Sequence, residues 1–244
     1  MVITSPQNSL VKTLCELKDK KGRKKQNAYL VEGVKMVAEA IKFNMPIKLI
    51  IGLKDIVESF CFNGEKYFAE EKVLLKLSDC ETCQGVFAVI EQPKDNFIIS
   101  KEPCVLLDRV RDPGNLGTII RTSVALGIKN IYLLDTVDCY SPKVVRSSMS
   151  GIYSVNLMQI DSQKLQELAN GLEFISADMC GENVFNFTPK NNFCLVMGNE
   201  ANGLSEQVKS LTKTFVSIPM QSGIESLNVG VAFAVIGYRL FYKN

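Results

Sequence analysis

The chain has 244 residues, of which 46% are hydrophobic, and 28 Lys and Arg against 26 Asp and Glu give a formal net charge of +2. This length suits one large domain or two modest ones. No run of about 18 apolar residues is present to span a bilayer, and residues 1–25 are polar and basic rather than an apolar signal region. We therefore expect a soluble, cytoplasmic protein with no membrane partner.

Histidine is absent from the sequence. Its absence excludes Ser-His-Asp and Cys-His nucleophilic sites and histidine metal ligands. Among the eight cysteines only Cys80 and Cys83 form a C-x-x-C pair, and no second pair stands near enough to complete a zinc site. The pair is either a redox couple or two thiols in a turn. We favour the turn, and expect reduced cysteines and no metal.

The positive charge is concentrated near the N-terminus, because residues 1–50 hold 10 Lys and Arg against 4 Asp and Glu. A basic run of this kind is ordinarily a solvated surface. Its functional interpretation is an arm that contacts RNA phosphates without recognising sequence. The candidate phosphate contacts are Lys20, Lys21, Arg23, Lys24 and Lys25.

In chain order, helical spacing of leucines over residues 8–20 is followed by a second helix-like pattern over 29–43. Short apolar runs at 48–53, 66–69 and 85–90 then predict strands, so the first part is an α/β unit. Residues 91–103 are polar and bounded by prolines, which is typical of a linker. We place an RNA-binding domain at 1–95, a linker at 96–103 and a second domain at 104–244.

The second domain alternates regularly between predicted strands and helices. The strands include 104–108, 130–135, 193–198 and 214–220, and a helix closes the chain over 227–241. Such alternation predicts a mainly parallel sheet covered on both faces, with ligands at the carboxyl ends of the strands. Three loops follow strands there, at 108–117, 198–205 and 218–230. Taken singly they are weak signals, and none has the spacing of a dinucleotide fingerprint or a P-loop.

Together the three loops resemble, in order, the motifs of the SpoU/TrmH methyltransferases of the SPOUT superfamily. The matching segments are N-L-G-T-I-I-R (115–121), M-G-N-E-A-N-G-L-S (197–205) and I-P-M…S-G…E-S-L-N-V-G-V-A (218–232). The segment Y-L-V-E-G-V-K-M-V-A-E-A (29–40) resembles the family's N-terminal substrate-binding domain, an α/β fold related to ribosomal proteins. Residues 140–151 also resemble a family segment.

This resemblance implies an RNA 2′-O-ribose methyltransferase with a deep C-terminal trefoil knot that binds S-adenosyl-L-methionine. By position, the cofactor contacts would be Gly198, Ile218 and Leu227, flanked by Met220. No metal is required. Members pair through the knotted domain, so a homodimer is expected. The final helix is apolar on nearly all sides and must be covered, either by a second subunit or within one chain.

The resemblance also implies a catalytic set. Its members are Asn115, Arg121, Glu200, Ser226 and Asn228. The family's proposal of Arg121 as a base is awkward, because guanidinium is effectively always protonated. We favour a clamp on the RNA phosphate and the developing alkoxide. Ser226 and Asn228 would orient that arginine, and Glu200 would fix the loop and the Asn115 amide.

Lys143 and Arg146 lie three residues apart on a predicted helix and share a face. A solvated face is the ordinary explanation, but beside the implied site we favour RNA backbone contact. The rival functions are a catalytically silent RNA-binding protein of the same fold and a nucleotide-dependent oxidoreductase. The intact site residues disfavour the catalytically silent protein. The missing phosphate-binding fingerprint disfavours the oxidoreductase. Ribosomal RNA is favoured over transfer RNA because the tRNA-specific relatives often lack the N-terminal domain.

Overall fold

The computed structural model describes residues 2–94, 96–189, 192–221 and 226–242. From the amino end to residue 91 the elements are β1 (Val2–Ile3), α1 (Ser9–Cys15), a 3-10 turn (Glu16–Lys18), α2 (Lys20–Gln26), β2 (Ala28–Glu32), α3 (Val34–Lys42), β3 (Ile47–Gly52), α4 (Lys54–Glu58), β4 (Glu65–Ala69), α5 (Glu71–Leu77) and β5 (Val86–Glu91). From residue 104 they are β6 (Cys104–Asp108), α6 (Pro113–Ala125), β7 (Asn130–Leu134), α7 (Pro142–Ser148), a second 3-10 turn (Met149–Tyr153), β8 (Asn156–Ile160), α8 (Ser162–Gly171), β9 (Glu173–Asn183), β10 (Phe193–Met197), α9 (Glu206–Leu211), β11 (Thr214–Ser217) and α10 (Val229–Phe241).

The chain divides into two compact units. The first comprises Met1–Lys94 with Tyr140–Tyr153, and the second Asp95–Cys139 with Ser154–Asn244. Residues 140–153, which the sequence placed in the second domain, pack in the first unit because aromatic side chains anchor them there. The Tyr140 ring centroid lies 4.8 Å from that of Tyr29, and the Tyr153 hydroxyl donates to the Met36 carbonyl at 3.3 Å.

The first unit is built on a mixed five-stranded sheet in the order β1-β4-β3-β5-β2. Strand β5 is antiparallel to β2 and β3, and the other pairs are parallel. Helix α1, the 3-10 turn after it and helix α5 cover one face with Leu14, Leu17 and Leu74, each at most 2% exposed. The leucine spacing over residues 8–20 therefore marks a buried helical face, as predicted.

Residues 29–32 correct one expectation, because they form strand β2 rather than the start of a helix. Leu30 pairs opposite Val89 of β5. The segment is bounded by Asn27 at φ 45° and Gly33 at φ 107°. Positive φ values cannot continue a right-handed helix, so the helix begins only at α3.

The second unit contains a six-stranded sheet in the order β11-β9-β10-β6-β7-β8, with every pair parallel. This confirms the predicted parallel sheet. Strands β6 and β10 are adjacent at its centre, and each is buried along its whole length. Such strands belong to a sheet covered on both faces. Their carboxyl ends, and those of their neighbours, lie along the same edge. No helix among the described residues has the length and apolar character needed to cross a bilayer.

The segment before β6, predicted as a linker, is held to the second unit by hydrogen bonds from Asn130 and Asn192 and by one buried phenol. The Tyr132 hydroxyl accepts a hydrogen bond from the Ser100 N–H at 2.9 Å and donates to the Ile98 carbonyl at 2.8 Å. Burial raises the pKa of Tyr132 above its ordinary value of 10.0. The neutral hydroxyl is therefore favoured in the folded state, and its contribution to stability is full below pH 10 and declines above it.

Replacing Tyr132 with Phe should lower the free energy of unfolding by about 1–3 kcal/mol, because the Ser100 N–H loses its partner while buried. Urea denaturation with an unchanged m-value measures the loss. Tyr242→Phe is the matched control, since that side chain is 63% exposed. Equal stability of the two variants would contradict this account of the segment.

Candidate active site

Three loops meet the edge of the second sheet where β6, β10 and β11 end. The loop after β10 is the tightest. Asn199 and Gly203 exchange backbone hydrogen bonds of 2.9 and 3.0 Å. A Cβ on Gly198 would lie 2.6 Å from the Gly203 carbonyl carbon, and Gly203 itself has a φ of 62°. The loop thus requires glycine at both positions, the first for space and the second for backbone conformation.

The Asn199 side chain fastens this loop to the end of β6. Its Oδ1 accepts from the Ala201 and Asn202 N–H groups at 3.0 Å each, and its Nδ2 donates to the Arg109 carbonyl at 2.8 Å. Sequence reasoning missed Asn199. The signal was available, since asparagine beside glycine commonly forms a side-chain-closed turn.

Asp108 makes a second connection between the same two segments. It is the last residue of β6 and is fully buried. One carboxylate oxygen accepts from the Ser205 N–H, and the other lies 3.3 Å from Arg109 Nε. Ser205 also caps α9, accepting from the Val208 N–H at 3.3 Å. A carboxylate is retained in an apolar strand only when donors and a positive charge meet it.

Glu200, Asn115 and Asn228 form a continuous chain of hydrogen bonds. Asn115 Nδ2 donates to Glu200 Oε1 at 2.9 Å, and Asn228 Nδ2 donates to Asn115 Oδ1 at 2.8 Å. Asn228 Oδ1 in turn accepts from the Gly230 and Val231 N–H groups at 2.9 and 3.3 Å, which caps α10. Because a carboxylate only accepts, it fixes the orientation of the Asn115 amide, and that amide then fixes Asn228.

Glu200 also holds the loop that leads into α6. Its carboxylate accepts from the backbone N–H groups of Arg111 and Asp112 at 3.4 and 3.5 Å. Asp112 caps α6 by accepting from the Asn115 N–H at 2.8 Å. The hydrogen bonds of Glu200, Asn115 and Asn228 therefore connect all three loops to one another.

A cleft of about 350 Å³ opens beside Glu200. It contains the four residues predicted to contact the cofactor and one further predicted catalytic residue; these are Gly198, Ile218, Met220, Leu227 and Ser226. Ligand sites are usually clefts of this size with apolar walls and a few polar groups. The carboxylates of Asp178 and Glu200 also line it, which favours a positively charged ligand. Apolar walls and these acids fit S-adenosyl-L-methionine, whose ring is flat and whose sulfonium is cationic.

Arg121 lies apart from the cleft lining. It is exposed on α6, roughly 9 Å along the helix axis from Asn115. Within the described residues it makes no hydrogen bond or ion pair.

The predicted basic arm is the helix α2, and one of its residues needs correction. Arg23 is 3% exposed, and its Nη1 donates to the Leu17 and Lys18 carbonyls at 2.7 and 2.6 Å. It stabilises the preceding 3-10 turn, so it is not a phosphate contact. Lys20, Lys21, Lys24 and Lys25 are exposed or nearly so, and Lys25 lies 3.2 Å from Glu16.

Lys143 and Arg146 are both exposed on α7, in the first unit.

The eight cysteines are all free, and burial raises the pKa of the Cys83 thiol. No cluster of three or more His, Cys, Asp or Glu side chains in the described ranges is arranged to hold a metal ion.

Comparison with known proteins decides the family. The model of the SpoU rRNA methylase family matches residues 102–238, more than half of the chain, and that of the MRM3-like substrate binding domain matches residues 8–88. The chain belongs to the SpoU rRNA methylase family.

Relatives cover nearly the whole of this SpoU chain. A 23S rRNA (guanosine(2553)-2′-O)-methyltransferase, RlmP, of Bacillus subtilis is 31% identical and is aligned over 98% of each chain. An uncharacterized tRNA/rRNA methyltransferase of Synechocystis is 34% identical over 97% of this chain and 92% of its own. The solved SpoU methyltransferase AviRb of Streptomyces viridochromogenes, in complex with AdoMet, superposes with a TM-score of 0.88. It is 26% identical over 96% of this chain and 97% of its own.

Asn199→Ala should weaken S-adenosylmethionine binding by roughly tenfold, because loss of the hydrogen bonds that close the loop releases Gly198 and Glu200. Calorimetric titration of the cofactor measures the effect. Asn202→Ala is the matched control, since that side chain makes a single bond of 3.3 Å in the same loop. If both variants bind as the parent does, Asn199 has no positioning role.

Proposed function

We propose that this SpoU protein is an S-adenosylmethionine-dependent methyltransferase that methylates a ribose 2′-hydroxyl of ribosomal RNA. The observation that carries the proposal is the hydrogen-bonded chain from Glu200 through Asn115 to Asn228, beside a cleft that fits the cofactor. The named activity of the Bacillus subtilis relative supports the choice of reaction and of RNA. A transfer RNA substrate is the second candidate, because the Synechocystis relative is described as a tRNA/rRNA enzyme.

The cofactor would be held by Gly198, Ile218, Met220 and Leu227 in the cleft. When bound, S-adenosylmethionine supplies an electrophilic methyl group on a positively charged sulfur. The remaining task of the protein is to orient the ribose hydroxyl and to stabilise the negative charge that develops on its oxygen.

Arg121 is the cation we propose for that task. In the described part of the chain no carboxylate or other side chain forms an ion pair or hydrogen bond with Arg121. Its planar guanidinium can therefore bind an RNA phosphate and the reacting oxygen. Glu200 is an unsuitable base, because four donors already hold its carboxylate. Its role, like those of Asn115 and Asn228, is to position the loops. Ser226, exposed at the cleft, would orient the substrate hydroxyl.

We further propose that the chain segments around the cleft form the trefoil knot of the family. The match of the SpoU family model to residues 102–238 supports this. The first unit would bind RNA, with Lys20, Lys21, Lys24 and Lys25 of α2 and Lys143 and Arg146 of α7 as the phosphate contacts.

Arg121→Ala should lower single-turnover methyl transfer by about 100-fold or more, with cofactor affinity nearly unchanged. Arg121→Lys should fail as well, because an ammonium cannot form the bidentate clamp. The assay follows labelled methyl groups into ribosomal RNA from cells that lack the gene. Lys129→Ala, exposed before β7, is the control. Substantial transfer by the Lys variant would reject the clamp.

A homodimer built on the second unit is proposed as the working form. Helix α10 leaves Val231 and Tyr238 each 50% exposed, and an apolar surface on a helix is stabilised by a covering partner. Light scattering should give about twice the 27.1 kDa chain mass. Val231→Asp should give the monomer mass, while Gln163→Asp, exposed on α8, should not. A fully active 27.1 kDa parent protein would contradict the dimer.

A further inference from the structure

A second cavity, of about 220 Å³, lies within the first unit. Strands β2 and β5 and helices α3, α5 and α7 contribute to its walls. Its floor is apolar and consists of Leu30, Leu77, Phe87 and Val145, all buried. A cavity of this size has room for one planar ring system and too little room for a folded peptide segment. Neither the catalytic set nor the cofactor contacts belong to it.

One wall of this cavity is the carboxylate of Glu32. Its two oxygens lie 2.9 and 3.0 Å from the Ser78 hydroxyl, and Oε1 also accepts from the Gln84 N–H at 3.1 Å. A carboxylate has about four lone-pair positions. The Ser78 hydroxyl and the Gln84 N–H fill two of them, so two positions remain for a ligand. The wall is therefore a fixed acceptor that requires an N–H group from its occupant.

The rim carries two cations, and the acid beside them, Asp79, is ion-paired with Lys18 at 3.1 Å. Lys35 of α3 and Arg146 of α7 both line the cavity and are exposed. Over the described part of the chain neither of them forms an ion pair or hydrogen bond. Two cations without protein partners at the mouth of an apolar cavity favour an occupant with an anionic group on its outer side.

We propose that this cavity takes an unpaired guanine of the RNA substrate. The flat base would fill the apolar floor, and its adjacent imino and amino N–H groups would face Glu32. The phosphates on either side would meet Lys35 and Arg146. Guanine is the base with two neighbouring donors on its pairing edge, which match a carboxylate, whereas uracil offers one. RNA-binding proteins recognise splayed bases in this way, by packing the ring and bonding its edge.

This proposal rests on the proposed RNA methyltransferase function, and it gives the first unit a base-selective role beyond phosphate contact. A phosphate-binding arm adds affinity without preference for sequence. A pocket with a fixed hydrogen-bond acceptor adds a preference for one base over the others. The two contributions are separable, because they depend on different residues.

The test is binding of the full-length protein to short single-stranded oligoribonucleotides, followed by fluorescence anisotropy. One probe has a single guanosine among uridines, a second has inosine at that place, and a third is all uridine. The parent should bind the guanosine probe about tenfold more tightly than the uridine probe. The inosine probe, which lacks the amino group, should fall between them.

Glu32→Gln should abolish most of the preference for guanosine. Glu58→Gln, the same change on α4 outside the cavity, should retain it. Lys35→Glu should weaken the binding of all three probes several-fold with little change in the preference for guanosine. Lys42→Glu on the same helix should weaken binding less. Lys35, Glu58 and Lys42 are exposed, so these variants are expected to fold, and thermal melting confirms the fold of each variant.

Equal binding of guanosine and uridine probes by the parent would overturn the proposal, as would an unchanged preference in Glu32→Gln. Free guanosine monophosphate bound as tightly as the guanosine probe would overturn the assignment to RNA. Methyl transfer and S-adenosylmethionine binding are measured on the same proteins. A guanosine preference without methyl transfer would contradict the proposed function but support the guanine pocket. Methyl transfer without a guanosine preference would support the proposed function and contradict the pocket.

Discussion

The buried carboxylate of Asp108 is the constraint on which the candidate active site depends. A negative charge at the end of a fully buried strand is costly unless nearby donors compensate it. Here the Ser205 N–H of the loop after β10 donates to one oxygen, and the guanidinium of the neighbouring Arg109 places a positive charge 3.3 Å from the other. Neutralising the charge therefore requires the loop to lie against β6, which is the position that brings Glu200 to the start of α6.

Arg109 adopts a φ of 58° at this point, and Asp135, at the end of the adjacent β7, adopts 47°. Left-handed backbone is unfavourable for residues with a side chain, and it persists where the surrounding structure fixes it. Arg109 is fixed on both sides, since its N–H donates to the Leu134 carbonyl and its own carbonyl accepts from Asn199. The strain of this turn is thus balanced by hydrogen bonds to the strand end and to the loop that carries the candidate cofactor contacts.

The parallel sheet and most element boundaries in the second unit follow from the sequence, because apolar runs such as 104–108 and 193–197 have strand length and are bounded by turn residues. The positions of the site loops followed too, since carboxyl ends of parallel strands share an edge. Asp108 and Asn199 were missed because their importance lies in partners about 90 residues away. The asparagine beside a glycine indicated a turn at Asn199, but no local pattern shows which distant segment such a side chain contacts.

At Arg23 and at residues 29–32 the sequence suggested a role or an element that the structure does not have. In the sequence Arg23 is one cation in a basic run, and only the fold reveals that it caps the carbonyls of a short turn. Residues 29–32 are apolar enough for a buried helix or a buried strand. The backbone at Asn27 and Gly33 decides between them, and backbone dihedrals are not visible in composition or periodicity.

The chain of hydrogen bonds through Asn115 spans 85 residues to Glu200 and 113 residues to Asn228. All six strands of the second sheet are complete by Ser217, yet Asn228 lies beyond them, at the start of the final helix. During synthesis the sheet can therefore form before the residue that closes the polar chain has emerged. A nascent chain with a finished sheet therefore still lacks the residue that closes this polar chain.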